Sequence, residues 1–299
     1  MTATTARTHG SCVPALVGEA RDVGANRGQA DANRQILDWK QKERWDPFIG
    51  WSDDWFSAVG FPWHPHRGFQ TVTLILDGLL EHRDNAGGFG ILGDGDVQYM
   101  AAGRYALHYE LAYERQPVHT LQLWLNLPPG KKLIDTWYRD LRAEDATVLR
   151  EDGAEVRIHA GEVRGHRGAS PDDFEVPFTL VDAQLDAGAH FVHELPGHHA
   201  AALYLVEGEL TAGGETLTAN SWAWFDAGEA GPTELPLDAV AASRFVAVSA
   251  APIGAPIVTH GPFVMNTEAE IVEAIEDFNA GKFGPVPTHA VTDPRARAR

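Results

Sequence analysis

Cysteine is nearly absent: of 299 residues only Cys12 carries a thiol. One thiol cannot close an internal disulfide, which fits a reducing compartment. Basic residues are also few, 24 Lys and Arg against 42 Asp and Glu, for a formal net charge of -18. Nucleic-acid backbones select proteins with basic stripes, so no direct nucleic-acid partner is expected. The one basic cluster, Arg295, Arg297 and Arg299, reads as a solvated end. No apolar run approaches the roughly 18 residues of a membrane helix, so no membrane partner is expected either. The opening MTATTARTHGSCVPALVG holds no long apolar stretch of the secretory kind. Together these absences point to a cytoplasmic location.

What is present is an ordinary globular composition, 44% apolar and 22% charged. The length suits one large domain or two medium ones, with enough chain to bury a core. Residues 31–44 are ambiguous between helix and strand. From residue 69 the texture is that of strands. FQTVTLIL is a short run of β-branched and aromatic residues. Asp77-Gly78 reads as a tight turn, LLEHR as the next strand, and Asp84 to Gly88 as a loop. GILGDGDVQYMAAG gives strand, turn, strand and turn, and HTLQLWLNL another strand closed by Pro128-Pro129. Short strands between Gly-rich turns argue for an antiparallel sandwich or barrel.

The pattern recurs. LILDGLL around Gly78 resembles LYLVEGEL around Gly208, and VQYMAAG resembles WAWFDAG. Two copies of one barrel plan would explain this. The expected division is 1–138 and 139–299. Between the copies, LIDTWYRDLRAED looks helical and Glu151-Asp152-Gly153 looks like a hairpin. Near the end, Thr267 and Glu270 have capping-box spacing. Ile271, Ala274, Ile275 and Phe278 follow at helical intervals, and Gly281 supplies a stop. A core-facing helix over about 267–281 is predicted.

Two dyads carry the chemistry. His64-Pro65-His66 places two imidazoles at i and i+2, on one face of a strand. Neutral imidazole is a common ligand for iron, nickel, copper and zinc. His108-Tyr109-Glu110 repeats the spacing with one carboxylate. Either dyad alone is weak, since a surface pair gives the same letters. On neighbouring strands of one barrel they would gather three imidazoles and a carboxylate around a point.

FPWHPHRGFQTVTLILDGLLEHRDNAGG, GDGDVQYMAAGRYALHYE and LQLWLNL strongly resemble the pirin family of the cupin superfamily. GAPIVTHGPFVMNTEAEIVEAIEDFNAGKFG resembles the family's C-terminal signature. The resemblance implies an all-β bicupin: two antiparallel jelly-roll barrels packed together, with the short C-terminal helix. It implies one metal in the first barrel, usually Fe2+, with another divalent transition metal as the alternative. The implied ligands are His64, His66, His108 and Glu110. The implied activity is a quercetin 2,3-dioxygenase, with a small aromatic substrate and O2 as partners and Glu110 taking the substrate proton. The alternative is an iron-dependent regulatory protein that binds a protein partner without turnover. A monomer is expected.

The chain departs from the family where it has Gln70 for the usual Glu, and where Tyr105 and Tyr109 replace small residues. Two phenols beside the second dyad would narrow the cavity or line it differently. In the second copy the ligand offsets fall on Glu194, Pro196, Thr233 and Leu235, so a metal-free second barrel is expected. His193, His198 and His199 then read as surface or hairpin residues. His82 reads as structural rather than as support for a ligand. Arg67 is read equally as orienting a ligand or bridging strands, and Cys12 as inert on a loose terminus.

Overall fold

The computed structural model describes residues 10–24, 30–57, 60–169, 174–229 and 231–286. The basic tail at 295–299 lies outside the described residues. Strands dominate, and Glu268–Asn279 is the one α-helix among the described residues. The chain forms two compact units. One is built on the described residues of 20–145 with 253–286, the other on those of 146–169 and 177–252 with the strand Leu16–Glu19.

In the first unit a seven-stranded sheet has Phe69–Asp77 near its centre, between Val97–Ala101 and Val118–Asn126. Every residue of Phe69–Asp77 except the last is buried, as a near-continuous apolar run requires. A four-stranded sheet is ordered Gly60–His66, Ala106–Ala112, Leu80–Asp84, Phe89–Leu92. The second unit repeats the plan with a seven-stranded and a five-stranded sheet, and holds its own apolar core around Phe191, Leu203, Phe225 and Phe245.

The glycines that reveal the repeat do the same work twice. Gly78 has φ 87 and Gly208 φ 92, in the left-handed region. A Cβ at Gly78 would lie 2.2 Å from the Pro117 carbonyl oxygen, and one at Gly208 2.3 Å from that of Ala242. Only glycine fits either turn.

The capping box at the helix start is formed in both directions. Ile271 and Ala274 are buried and pack with Phe263 and Met265. The helix therefore belongs to the first unit, and Leu16–Glu19 pairs with Ser221–Phe225 in the second. The strand Leu16–Glu19 and the helix Glu268–Asn279 thus each pack in the unit built mainly from the other half of the sequence. LIDTWYRDLRAED is corrected: Trp137–Leu141 is a strand paired with Val97–Ala101, followed by a 3-10 turn at Ala143–Asp145. The open sheet edge overrides local helical propensity. Residues 31–44 divide into the strand Ala32–Leu37 and a 3-10 turn at Trp39–Gln41. The hairpin at Gly153 is present. Cys12 is not loose, since it packs against the second core, and burial pushes its thiol up to about 11.

His193 is not a surface residue. It is 1% exposed, on the strand His190–Pro196, and burial lowers its pKa to about 4. Its folded pKa lies below the unfolded value, so the unfolded chain takes up the proton first as pH falls. Stability is therefore full above about pH 6.5 and is lost towards pH 4, by on the order of 3 kcal/mol. In His193→Leu the drop in Tm between pH 7 and 4.5 should shrink by about 5 °C. An unchanged drop would show that another group governs the acid limb.

Candidate metal centre

His64 and His66 lie on Gly60–His66, His108 and Glu110 on Ala106–Ala112. The two strands are antiparallel neighbours, with His64 opposite His108 and His66 opposite Ala106. Alternation points both dyads to one face. The ring centroids of His64 and His66 are 4.6 Å apart, those of His64 and His108 4.3 Å, and those of His66 and His108 4.8 Å. One ring nitrogen from each lies within 4.8 Å of the others.

A register shift interrupts the pairing between His108 and Glu110. Such bulges re-aim a side chain. Glu110 falls with His108 and His82 in a second group under the same 4.8 Å limit. The four expected ligands thus divide between two overlapping groups that share His108.

The carboxylate of Glu110 is buried and held from the neighbouring sheet. Gln122 Nε2 donates to Oε2 at 2.9 Å, and Thr73 Oγ1 to Oε1 at 3.3 Å. Thr73 and Gln122 face each other in register on adjacent strands. Trp124 Nε1 donates to Gln122 Oε1 at 3.0 Å and fixes the amide's orientation. Neither Thr73 nor Gln122 was singled out by the sequence reading. Their signal is a polar residue in the middle of an apolar strand.

Burial sets the electrostatics. It holds His66 and His108 well below the usual imidazole range, reinforced by their imidazole neighbours. It lowers His64 as well, opposed by a 2.8 Å hydrogen bond from Nδ1 to the Pro62 carbonyl. Neutral rings are the state a metal needs.

His82 and Asp84 are the residues the sequence undervalued. His82 is fully buried, and its Nδ1 stands 3.5 Å from His108 Nδ1. Its Nε2 lies 3.6 Å from Asp84 Oδ2, and neither of these two buried atoms makes a hydrogen bond. The other oxygen of Asp84 accepts from the backbone N–H groups of Ala86 and Gly88, each at 2.8 Å. The order carboxylate, imidazole, imidazole is that of supports which orient metal-binding histidines.

The departures from the family pattern fall elsewhere. Gln70 accepts from the Tyr99 hydroxyl, and its Nε2 lies 3.4 Å from the Asn126 carbonyl. Tyr109 donates to Glu81 at 2.5 Å and packs edge-on against Trp63. Tyr105 packs against Phe283 and under the guanidinium of Arg67. Both phenols are engaged by these neighbours. Arg67 reaches Asp277 of the C-terminal helix, so its side chain joins barrel to helix.

The residues fit a divalent transition metal. Both ring nitrogens of His66 and Nε2 of His108 are buried without a hydrogen bond. Unpartnered buried polar atoms are costly unless something meets them. Three neutral imidazoles with a nearby carboxylate suit a late first-row ion.

Comparison with known proteins agrees. Residues 31–125 match the family model described as Pirin, and residues 180–284 the Pirin C-terminal cupin domain. This chain belongs to the pirin family. A pirin-like protein 2 of Arabidopsis thaliana is 36% identical over 266 residues, which cover 86% of this chain and 81% of that protein. A solved quercetin 2,3-dioxygenase of Acinetobacter baumannii superposes with TM-score 0.84 at 29% identity, over 93% of this chain and all of that one. A bacterial pirin of Escherichia coli solved with nickel(II) has TM-score 0.61 at 18% identity, over 79% of this chain and all of that one. That last likeness shows the fold alone. The bicupin architecture expected of a pirin is the one found here.

Proposed function

We propose that the chain is a metal-dependent dioxygenase that opens flavonols such as quercetin with O2. The observation that carries this is the convergence of three neutral imidazoles, of which His66 and His108 are buried and hold ring nitrogens that make no hydrogen bond. The kinship to a quercetin 2,3-dioxygenase supports the substrate class. In this reading His64, His66, His108 and Glu110 hold the ion, Fe2+ first and another divalent transition metal second. A bound ion would supply Lewis acidity towards the flavonol 3-hydroxyl and a centre for O2 chemistry.

The chain's own groups do the rest. Glu110 accepts the 3-hydroxyl proton on a carboxylate oxygen, and Gln122 and Thr73 hold that carboxylate in place meanwhile. Both atoms of O2 enter the product, the heterocycle opens, and one carbon leaves as carbon monoxide. Burial of His66, His108 and Glu110 keeps bulk water from the reacting oxygens.

The test is aerobic turnover of quercetin by metal-loaded protein beside His66→Ala and Glu110→Gln. The parent should consume flavonol and O2 together and release carbon monoxide. Glu110→Gln should fall at least about a hundredfold, as loss of a proton acceptor does. If all three proteins consume quercetin equally, or none does, the dioxygenase reading fails and a regulatory role with a protein partner takes its place.

A further inference from the structure

We propose that a cleft beside the histidine centre is a second binding site, for a planar aromatic anion such as an aromatic carboxylate. The cleft encloses about 480 Å³, within the range of small-molecule sites. Trp39, Lys40, Lys42, Ile49, Trp124, Thr259 and Gly261 line it. The lining thus offers two indoles, two ammonium groups and no carboxylate, on a chain whose net charge is -18. Lys42 Nζ lies 3.0 Å from a Glu43 carboxylate oxygen, so part of its charge is shared.

The indoles form a platform. Trp39 meets Trp124 edge-on, with ring centroids 4.7 Å apart, and remains 40% exposed. The chain makes room for it at Gly50, where a Cβ would come within 2.9 Å of the Trp39 ring. A flat aromatic ligand can stack there at little entropic cost, and its anionic group then meets the ammonium groups. A neutral aromatic would use the indoles and forgo the lysines.

The position gives the site a consequence. Trp124 also meets His66 edge-on, with centroids 5.3 Å apart, and its Nε1 is the donor that orients Gln122 against Glu110. His66 itself is only 2% exposed and does not line the cleft. A ligand stacked on Trp124 bears on both contacts.

The site is independent of turnover, so its test uses metal-free full-length protein. Binding of 2-naphthoate and of its neutral analogue 2-naphthalenemethanol is measured by calorimetry and by quenching of tryptophan fluorescence. Naphthoate should bind about tenfold more tightly than the alcohol, a preference that weakens with added salt. Lys40→Ala with Lys42→Ala should remove the preference and leave the alcohol's affinity unchanged. Trp39→Ala should weaken both ligands about fivefold. Equal binding of the two ligands, no binding of naphthoate, or an undiminished preference in the double variant would each overturn the proposal. None of these outcomes depends on whether quercetin is turned over.

Discussion

Replacing His108 with alanine is expected to remove more metal affinity than replacing any other one residue of the centre. His108 is the member shared by both three-ligand groups, so its loss breaks both. Replacing His64 leaves His82, His108 and Glu110, and replacing His82 leaves His64, His66 and His108. Binding of a structural divalent ion by four ligands is worth about 10–16 kcal/mol, or roughly 3 kcal/mol for each. One lost ligand therefore weakens binding about a hundredfold, and His108→Ala by more. His82→Ala is expected to cost about ten- to a hundredfold by another route. With Nε2–H of His82 towards Asp84, its Nδ1 accepts from Nδ1–H of His108 and leaves the Nε2 lone pair of His108 for the ion. Asp84→Asn should repeat the His82 effect more weakly. Chelator competition with metal analysis on the four proteins gives the order. If His82→Ala binds as tightly as the parent, the supporting chain has no role. If His108→Ala does, the centre is misassigned.

The sequence carried the strands and the dyads because both depend on local pattern. An i, i+2 spacing on a strand determines that two side chains share a face, and Thr267 with Glu270 determines a helix start. It did not carry the second tier of the site. Gln122, Thr73 and Trp124 lie 12, 37 and 14 positions from Glu110, and only sheet register brings them to it. His82 looked structural for the same reason. Its value comes from lying opposite Glu110 across a strand pair and beside the ring of His108. Gln70 and the two tyrosines seemed near the site in the sequence. Gln70 turned out to face other neighbours because a step of one residue along a strand reverses the face, Tyr109 lies between its dyad partners for the same reason, and Tyr105 precedes the strand that carries them. The helix-like stretch at 133–145 failed where an unpaired sheet edge competed with propensity.

The second large effect is expected at the other end of the chain. Arg67 immediately follows His66, and its side chain is 2% exposed. Its Nη2 donates to Asp277 at 2.8 Å and its Nε to the Arg104 carbonyl at 2.7 Å, while the guanidinium lies 4.9 Å from the Tyr105 ring centre and 5.1 Å from that of Phe283. Lys282 and Arg67 together hold the Asp277 carboxyl below the usual carboxylate range. Asp277→Ala strips the partner from a charge that cannot reach water. Breaking a buried pair this way costs about 3–5 kcal/mol, which for a chain of this size is a Tm drop of about 10 °C. Asp277→Asn keeps the shape and an acceptor and should lose less than half as much. A Tm for Asp277→Ala within 2 °C of the parent, an accuracy set by the roughly 2–4 °C that each kcal/mol moves Tm, would show the pair is not holding the helix. The same change should loosen the centre, because Arg67 also holds the backbone next to His66. Its N–H donates to the Pro262 carbonyl at 3.3 Å, and its own carbonyl accepts from Val264 at 3.0 Å. With the guanidinium deprived of its carboxylate, relaxation of the 66–67 backbone is the least costly escape, and the imidazole of His66 moves with it. Metal affinity should therefore fall in step with Tm across Asp277→Ala and Asp277→Asn, although Asp277 touches no ligand.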